Sequence, residues 1–320
     1  VPPKFAERFC GIIITNTFNI ITETNKLGRA LAPLAAILNH SCMANAERFY
    51  YDDMMIIRAS SPISKGTPVT ISYTHNILGN RIRQSYLYTT KFFKCTCSRC
   101  MDPTELGTHA SSLKCCCGNG FLTPHQDMSS DWNCTKCTQS STSKNADLLI
   151  KMVGKTIAGH RIGISNKRLA LKQASDILGG QHYIAMEFKL VLAESLLMQS
   201  YKAVPVSDIQ EALDYIDDLH TFSSKIEPSF SRFKGQLLLR QLQAWNLQFT
   251  LAKHQKVQQS DQCNDLETST DTIVMKELKN MMDMVEECNV ILKYDRLLPE
   301  VLEVAHKLRE HQNQGQQITI

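Results

Sequence analysis

The chain has 320 residues, 43% hydrophobic and 21% charged, with a formal net charge of +4 at neutral pH. That length exceeds what a single core ordinarily fills, so two domains are expected. No apolar run approaches the roughly 20 residues that cross a bilayer, which excludes a membrane-spanning helix, and no Lys/Arg block makes nucleic acid the default partner.

In chain order, Phe9 to Ile21 is rich in β-branched and apolar residues and predicts a strand. Met54 to Ala59 and Pro68 to Tyr73 predict two more, bounded by turn signals at Asp52-Asp53 and Lys65-Gly66. From Asp147 onward apolar residues recur at three- and four-residue intervals, as in Leu190, Ala193, Leu197 and Leu213, Ile216, Leu219. Pro205, Pro228 and Pro299 punctuate this region, giving candidate helices near 147–176, 182–202, 207–224, 230–255, 273–293 and 299–312 that pair as helical hairpins. The polar stretch Gln258 to Thr272 reads as a surface loop and Gln312 to Gln317 as a frayed tail. Asp214, Asp217, Asp218 and Glu286-Glu287 read as a solvated face.

Twelve cysteines are present, ten of them before Asp147 and eight of those within Cys95 to Cys137. Clustering in CxC and CxxC units favours metal over a disulfide framework. Cys95-Thr-Cys97-Ser-Arg-Cys100 supplies three thiolates, one short of a closed tetrahedral zinc site. Cys42, in Asn39-His40-Ser41-Cys42, is the best upstream candidate for the fourth; the alternative is a buried small apolar residue. Cys115-Cys116-Cys117-Gly118, followed by Cys134-Thr-Lys-Cys137, has the paired-knuckle layout of a second zinc site. Three adjacent cysteines leave its register open. Cys115 and Cys117 are preferred because side chains two apart project the same way in extended chain, which makes Cys116 a spare.

Asn39-His40-Ser41-Cys42, then Ile71-Ser72-Tyr73, then the CxCxxC group, in that order, resemble a SET domain with its post-SET zinc cluster. Asn16-Thr-Phe18, the Gly28 to Pro33 approach to Asn39 and the helical remainder resemble the SMYD family of SET and MYND domain proteins. The extra cluster from Cys115 to Cys137, with Trp132 inside it, resembles the arthropod branch of that family. The resemblance implies an α+β chain: residues 1–90 as the C-terminal half of a SET domain, 91–145 as a cysteine-rich post-SET region, and 146–320 as an all-α, TPR-like domain of helical hairpins. It also implies a truncated chain, since the glycine-rich cofactor loop and MYND finger that precede this region in the family have no counterpart in the sequence.

The same resemblance implies an S-adenosyl-L-methionine-dependent protein-lysine N-methyltransferase acting on a protein substrate that carries the target lysine. Asn16, Asn39, His40 and Phe93 would contact the cofactor, and Tyr73 would be the active-site tyrosine that orients the amine. Cys42, Cys95, Cys97 and Cys100 would share one zinc, and Cys115, Cys117, Cys134 and Cys137 a second. Taken by itself, Tyr73 at a strand end is more often a core or rim aromatic. Two departures stand out. Phe93 fits one of a pair of aromatics lining the lysine channel, but Lys91 stands where the other belongs, and Lys65-Gly66-Thr67-Pro68 replaces residues that are acidic in the family. Lys91 favours the alternative of a non-catalytic SET-fold scaffold for protein partners, with its helical domain as a docking platform. A zinc-ribbon adaptor is a weaker third reading. Reduced metal-binding cysteines imply an intracellular home, in cytoplasm and nucleus.

Overall fold

Where composition predicts a strand from Phe9, the computed structural model has a helix, α1 (Pro3–Asn16), and the strand β1 (Thr17–Ile21) begins only after it. Phe5, Phe9 and Ile12 recur at helical spacing, and this period prevails over β-branched propensity. In its last turn two side chains bond back along the helix: Thr15 Oγ1 donates to Gly11 O at 2.8 Å and Asn16 Nδ2 to Ile12 O at 2.9 Å. The structure describes residues 3–21, 26–51, 54–125, 130–158, 163–199, 204–227, 229–259, 267–293, 295 and 297–317. The turn expected at Asp52-Asp53 and the break expected at Pro228 lie outside them.

β1 pairs antiparallel with β2 (Leu27–Leu31), from Thr17 opposite Leu31 to Ile21 opposite Leu27. A short helix, α2 (Pro33–Ala36), follows with Pro33 in its first turn, where a missing N–H costs nothing. β3 (Asn39–His40) comes next, then the hairpin of β4 (Ala46–Tyr51) and β5 (Met54–Ala59), whose register runs from Ala46 opposite Ala59 to Tyr51 opposite Met54.

The strand expected over Pro68 to Tyr73 contracts to β6 (Thr70–Ile71), which pairs in parallel with β3, Asn39 beside Thr70 and His40 beside Ile71. Pro68 has no N–H to give a ladder, and side chains capture the bonds at both ends. Asn45 accepts from Thr70 N at 2.8 Å and donates to Pro68 O at 3.0 Å, and Tyr73 N donates to His40 Nδ1 at 3.0 Å. The crossover places the two SET-like motifs side by side.

α3 (Asn80–Lys91) is absent from the expected elements; its buried face carries an arginine, Arg83, beside Leu87. It stops at Phe92, whose left-handed φ of 62° turns the chain toward the cysteines. One helical turn, α4 (Ser98–Met101), lies inside the CxCxxC group. β7 (Leu113–Lys114), β8 (Phe121–Thr123), β9 (Trp132–Cys134) and β10 (Ser140–Ser141) form an antiparallel sheet in the order β10-β9-β8-β7. Its strand β9 opens with the fully buried Trp132, whose ring lies 5.7 Å from the Arg81 guanidinium.

The helical region begins with α5 (Ser143–Ala158) and α6 (Ile164–Ile177). One helix is expected there, but Gly163 adopts φ 79°, which a continuing helix cannot use. α7 (Tyr183–Leu197), α8 (Val206–Ile226), α9 (Arg232–Gln259), α10 (Glu267–Leu292) and α11 (Leu298–Gln317) complete the chain. Of the loop expected over Gln258 to Thr272, 258–259 belong to α9 and 267–272 to α10, while 260–266 lie outside the described residues; the expected frayed tail is helical through Gln317. The architecture is α+β, with strands and cysteine clusters first and helices after.

The chain divides into two compact units. One comprises Val1–Arg161, Leu169–Glu187 and Ser224–Ser229; the other comprises Ile162–Arg168, Phe188–Ser223 and Phe230–Ile320. Within the second, α9, α10 and α11 share a core that includes Leu239, Leu242, Val285, Cys288, Ile291 and Val301. Gly235 on α9 permits close approach, since a Cβ there would lie 2.7 Å from Ile291 Cγ2. Arg168 fastens α6 to α8 through Glu211 Oε2 at 2.9 Å and Asp208 Oδ1 at 2.7 Å.

Candidate functional site

The first unit holds the residues that carry chemistry. Cys42 follows β3, Cys97 caps the start of the single turn of α4 and Cys100 lies within it, residues three apart sharing a face, and Cys95 precedes it. Their four sulfur atoms lie within 4.8 Å of one another, with Cys42 Sγ 3.5 Å from Cys100 Sγ. A tetrahedral zinc with Zn–S bonds near 2.3 Å separates its sulfurs by roughly 3.8 Å, so the spacing suits that ion. Protonation among bare thiols this close is contested. The hydrogen bond shared with Cys100 is the largest influence: it pushes Cys42 far above the ordinary thiol range, Cys95 far below it, and Cys97 down to about 6. A divalent cation removes the conflict by taking all four as thiolates.

A buried ion triad backs these sulfurs. Arg83, fully buried, donates from Nε to Cys42 Sγ at 3.2 Å and from Nη1 to Glu105 Oε2 at 2.7 Å. Arg99, also buried, donates from Nε to the same Glu105 oxygen at 2.9 Å and from Nη1 to Asn76 O at 2.6 Å. Glu105 further accepts from Asn80 N at 2.8 Å and from Ser111 Oγ. Burial pushes the Glu105 carboxyl up, but Arg83 and Arg99 outweigh it and hold the group below its usual range. Glu105 carries φ 50°, an unfavourable backbone state for a residue with a Cβ, held by these bonds. The triad is net positive and faces a cluster that is net negative when metallated.

Tyr73 stands beside this centre. His40 Nδ1 accepts from Tyr73 N, which leaves the ring proton on Nε2, 3.3 Å from Cys42 Sγ. The Tyr73 hydroxyl donates to the Leu38 carbonyl. Phe93 meets Tyr73 edge-on, with ring centres 6.4 Å apart, and lies 5.9 Å from His40. Burial raises the Tyr73 hydroxyl above the ordinary phenol range, opposed by the charge of Arg48. Arg48 donates to Ser72 O at 2.8 Å and lies over the Phe18 ring.

The structure thus brings His40, Tyr73 and Phe93 together on the first cysteine cluster. Asn39 is exposed on β3, one residue away. Asn16 is turned back on its own helix, bonded to Ile12 O and at 2.9 Å to Thr15 Oγ1, and the link from that helix end to Tyr73 runs instead through Lys91, which donates to the Thr15 carbonyl.

The second group, Cys115, Cys117, Cys134 and Cys137, also gathers within 4.8 Å. Cys115 and Cys137 sulfurs are 3.7 Å apart, and Cys117 and Cys134 sulfurs 3.9 Å, again the spacing of a tetrahedral tetrathiolate. Cys116 points away and is exposed. Gly120 is required by this packing, since a Cβ there would fall 2.6 Å from Cys134 Sγ.

Sequence reasoning missed Arg83, Arg99, Glu105 and Arg48. Arg99 lies between two cysteines of its motif and Arg83 interrupts an apolar helix face, the kind of signal that could have drawn attention. Glu105 sits in a polar loop and nothing local marks it.

Residues 14–74 match the SET domain family. Over 138 residues, 41% of this chain, it is 36% identical to the SET domain-containing protein SmydA-8, isoform A, of Drosophila melanogaster, covering 30% of that relative. It is 38% identical over 79 residues to the histone-lysine N-methyltransferase ASHR1 of Arabidopsis thaliana, a quarter of this chain and 16% of the relative. It is also 32% identical over 103 residues to the human histone-lysine N-methyltransferase SMYD3, 31% of this chain and 24% of the relative. The chain carries a stretch similar to the SET domain and to SET-and-MYND proteins, and it spans less than a third of the length of these relatives.

Proposed function

We propose that this chain carries part of the active site of an S-adenosylmethionine-dependent protein-lysine N-methyltransferase, supported by two structural zinc centres. The observation that carries the proposal is the His40 bridge: its imidazole accepts from Tyr73 N on one side and rests on Cys42 Sγ on the other. Residues of all three SET-like motifs thereby meet in one place. Two relatives named as histone-lysine N-methyltransferases support the reaction class.

When bound, S-adenosylmethionine supplies an electrophilic methyl group. Transfer to an amine is an in-line displacement, so the protein's part is alignment and exclusion of water. The Tyr73 hydroxyl has one proton, spent on the Leu38 carbonyl, and its lone pairs are left to accept from an amine N–H. Its raised pKa keeps that proton in place at neutral pH. Phe93 and the His40 ring form the apolar wall beside it, the exposed Asn39 is assigned to the cofactor, and Asn16 would join it by releasing Ile12 O. Zinc at each tetrathiolate has no open position and is structural. The partner is a protein presenting a lysine, and the home of such thiol-rich centres is intracellular, in cytoplasm and nucleus.

The test is calorimetric titration of S-adenosylmethionine into the zinc-loaded chain, with methyl transfer to core histones followed by radiolabel. Saturable cofactor binding, with Tyr73→Phe retaining it but losing transfer at least tenfold, is the expected result. Failure of the folded, metallated chain to bind the cofactor, both alone and when extended N-terminally, would sink the reading in favour of a SET-fold scaffold.

A further inference from the structure

Lys91 is the last residue of α3, and the left-handed Phe92 after it turns the chain toward Phe93 and Cys95. Its Nζ lies 5.4 Å from the centre of the Tyr73 ring and donates to the Thr15 carbonyl. Thr15 belongs to the last turn of α1, where unsatisfied carbonyls concentrate partial negative charge and favour a cation. The aromatic face supplies a second attraction for the same cation. Lys91 is partly buried, whereas Lys94, three residues on, is exposed. Burial lowers the Lys91 pKa, and the positive charge of Arg48 adds to that shift.

A primary amine of the chain itself therefore lies on the tyrosine against which an incoming lysine would be set. Two cations at one ring repel at a distance where little water intervenes. An aromatic side chain at position 91 would bring no charge to the tyrosine. A lysine sets a cation over its ring.

We propose that Lys91 is an internal occupant of the amine seat at Tyr73, so that this site takes a substrate lysine only when Lys91 is withdrawn or replaced. The inference rests on the reading of Tyr73 as the residue that orients the amine. It makes Lys91 a residue that determines which substrates enter: a protein lysine must displace a cation already held by the Thr15 carbonyl and the Tyr73 ring.

Two measurements on the zinc-loaded chain test it without the cofactor. In the first, surface lysines are acylated with a limiting N-hydroxysuccinimide ester and mapped by mass spectrometry. Lys91 is expected to react at least tenfold more slowly than Lys94, and equal rates would overturn the proposal. In the second, n-butylamine binding is followed by saturation-transfer NMR. Lys91→Phe and Lys91→Met are each expected to bind the amine at least tenfold more tightly than the parent chain, and Tyr73→Leu in either background is expected to abolish the gain. If neither variant gains affinity while the chain binds S-adenosylmethionine, the Lys91 proposal fails and the methyltransferase reading stands. If amine binding appears as expected but the cofactor is never bound, the occupant is real and the enzyme assignment is what fails.

Discussion

Replacing Glu105 with glutamine keeps the shape of the side chain and removes its charge. Glu105 is 1% exposed and receives Arg83 Nη1 at 2.7 Å and Arg99 Nε at 2.9 Å. A glutamine turns one of its two acceptors into a donor and leaves two guanidinium groups buried in its place. Arg83 retains the sulfur of Cys42 as a partner, so the larger loss falls on Arg99, which keeps only neutral carbonyls at Asn76 and Leu78. Stranding one member of a buried ion pair costs about 3–5 kcal/mol, a large share of the roughly 5–15 kcal/mol that holds a domain folded. The assay is urea unfolding of the zinc-loaded chain in a Trp245→Phe background, where Trp132 alone reports on the first unit. Asp147→Asn, which breaks the more exposed pair with Arg81, serves as a control expected to cost about 0–1 kcal/mol. If Glu105→Gln costs no more than that control, the triad does not support the cysteine centre as described.

Four further outcomes follow. Zinc-loaded chain should bind two metal ions and protect Cys42, Cys95, Cys97, Cys100, Cys115, Cys117, Cys134 and Cys137 from alkylation, while Cys116 reacts in both metallated and chelated protein; alkylation of Cys115 in place of Cys116 would change the register. Gly120→Ala pushes a methyl group onto Cys134 Sγ and should weaken metal at the second centre alone, read as one of two cobalt charge-transfer signals lost. Gly235→Ala overpacks α9 against Ile291 and Leu292 and should cost about 1–3 kcal/mol in the second unit, measured by Trp245 fluorescence. His182 is buried, which lowers its pKa to about 3, with Glu105 opposing weakly. The unfolded chain therefore binds a proton that the folded one refuses between about pH 6.5 and 3, so this histidine's contribution is complete above pH 6.5 and falls away with acid, by up to about 1.4 kcal/mol per pH unit. His182→Gln should flatten that part of the stability profile; an unchanged slope would show that His182 is not the group titrating.

Much of the cysteine chemistry was legible because metal-ligand spacing is a local property of sequence: CxCxxC and CxxC state which sulfurs can converge. The helical region was legible for a similar reason, since its apolar period is sustained over many turns. Where the reading failed, a competing local bond decided. Phe9 to Asn16 has the composition of a strand, yet Phe5, Phe9 and Ile12 recur at helical spacing and Thr15 and Asn16 bond back to the preceding turn of a helix. Pro68 to Tyr73 has strand character, but Asn45 and His40 side chains intercept its backbone groups. The long helix expected over 147–176 is two helices, the second starting just after Gly163, whose φ is positive. The triad was invisible because its members meet only in space, and Lys91 could be flagged as the wrong residue type at its position but not seen to reach Thr15.

The short parallel pair of β3 and β6 has a bearing on the order in which this site comes into being. Hairpins such as β1–β2 and β4–β5 close over short connections and can form early. The site instead joins Tyr73 to a residue 33 positions away and Cys42 to one 58 positions away, through a ladder only two residues long on each side. Such a pairing returns little for the chain entropy it costs, so it cannot hold itself. A metal ion held by Cys42, Cys95, Cys97 and Cys100 would be a cross-link able to make it persist. On that reading the tyrosine would be assembled late and lost early, and metal supply would set when this candidate site exists.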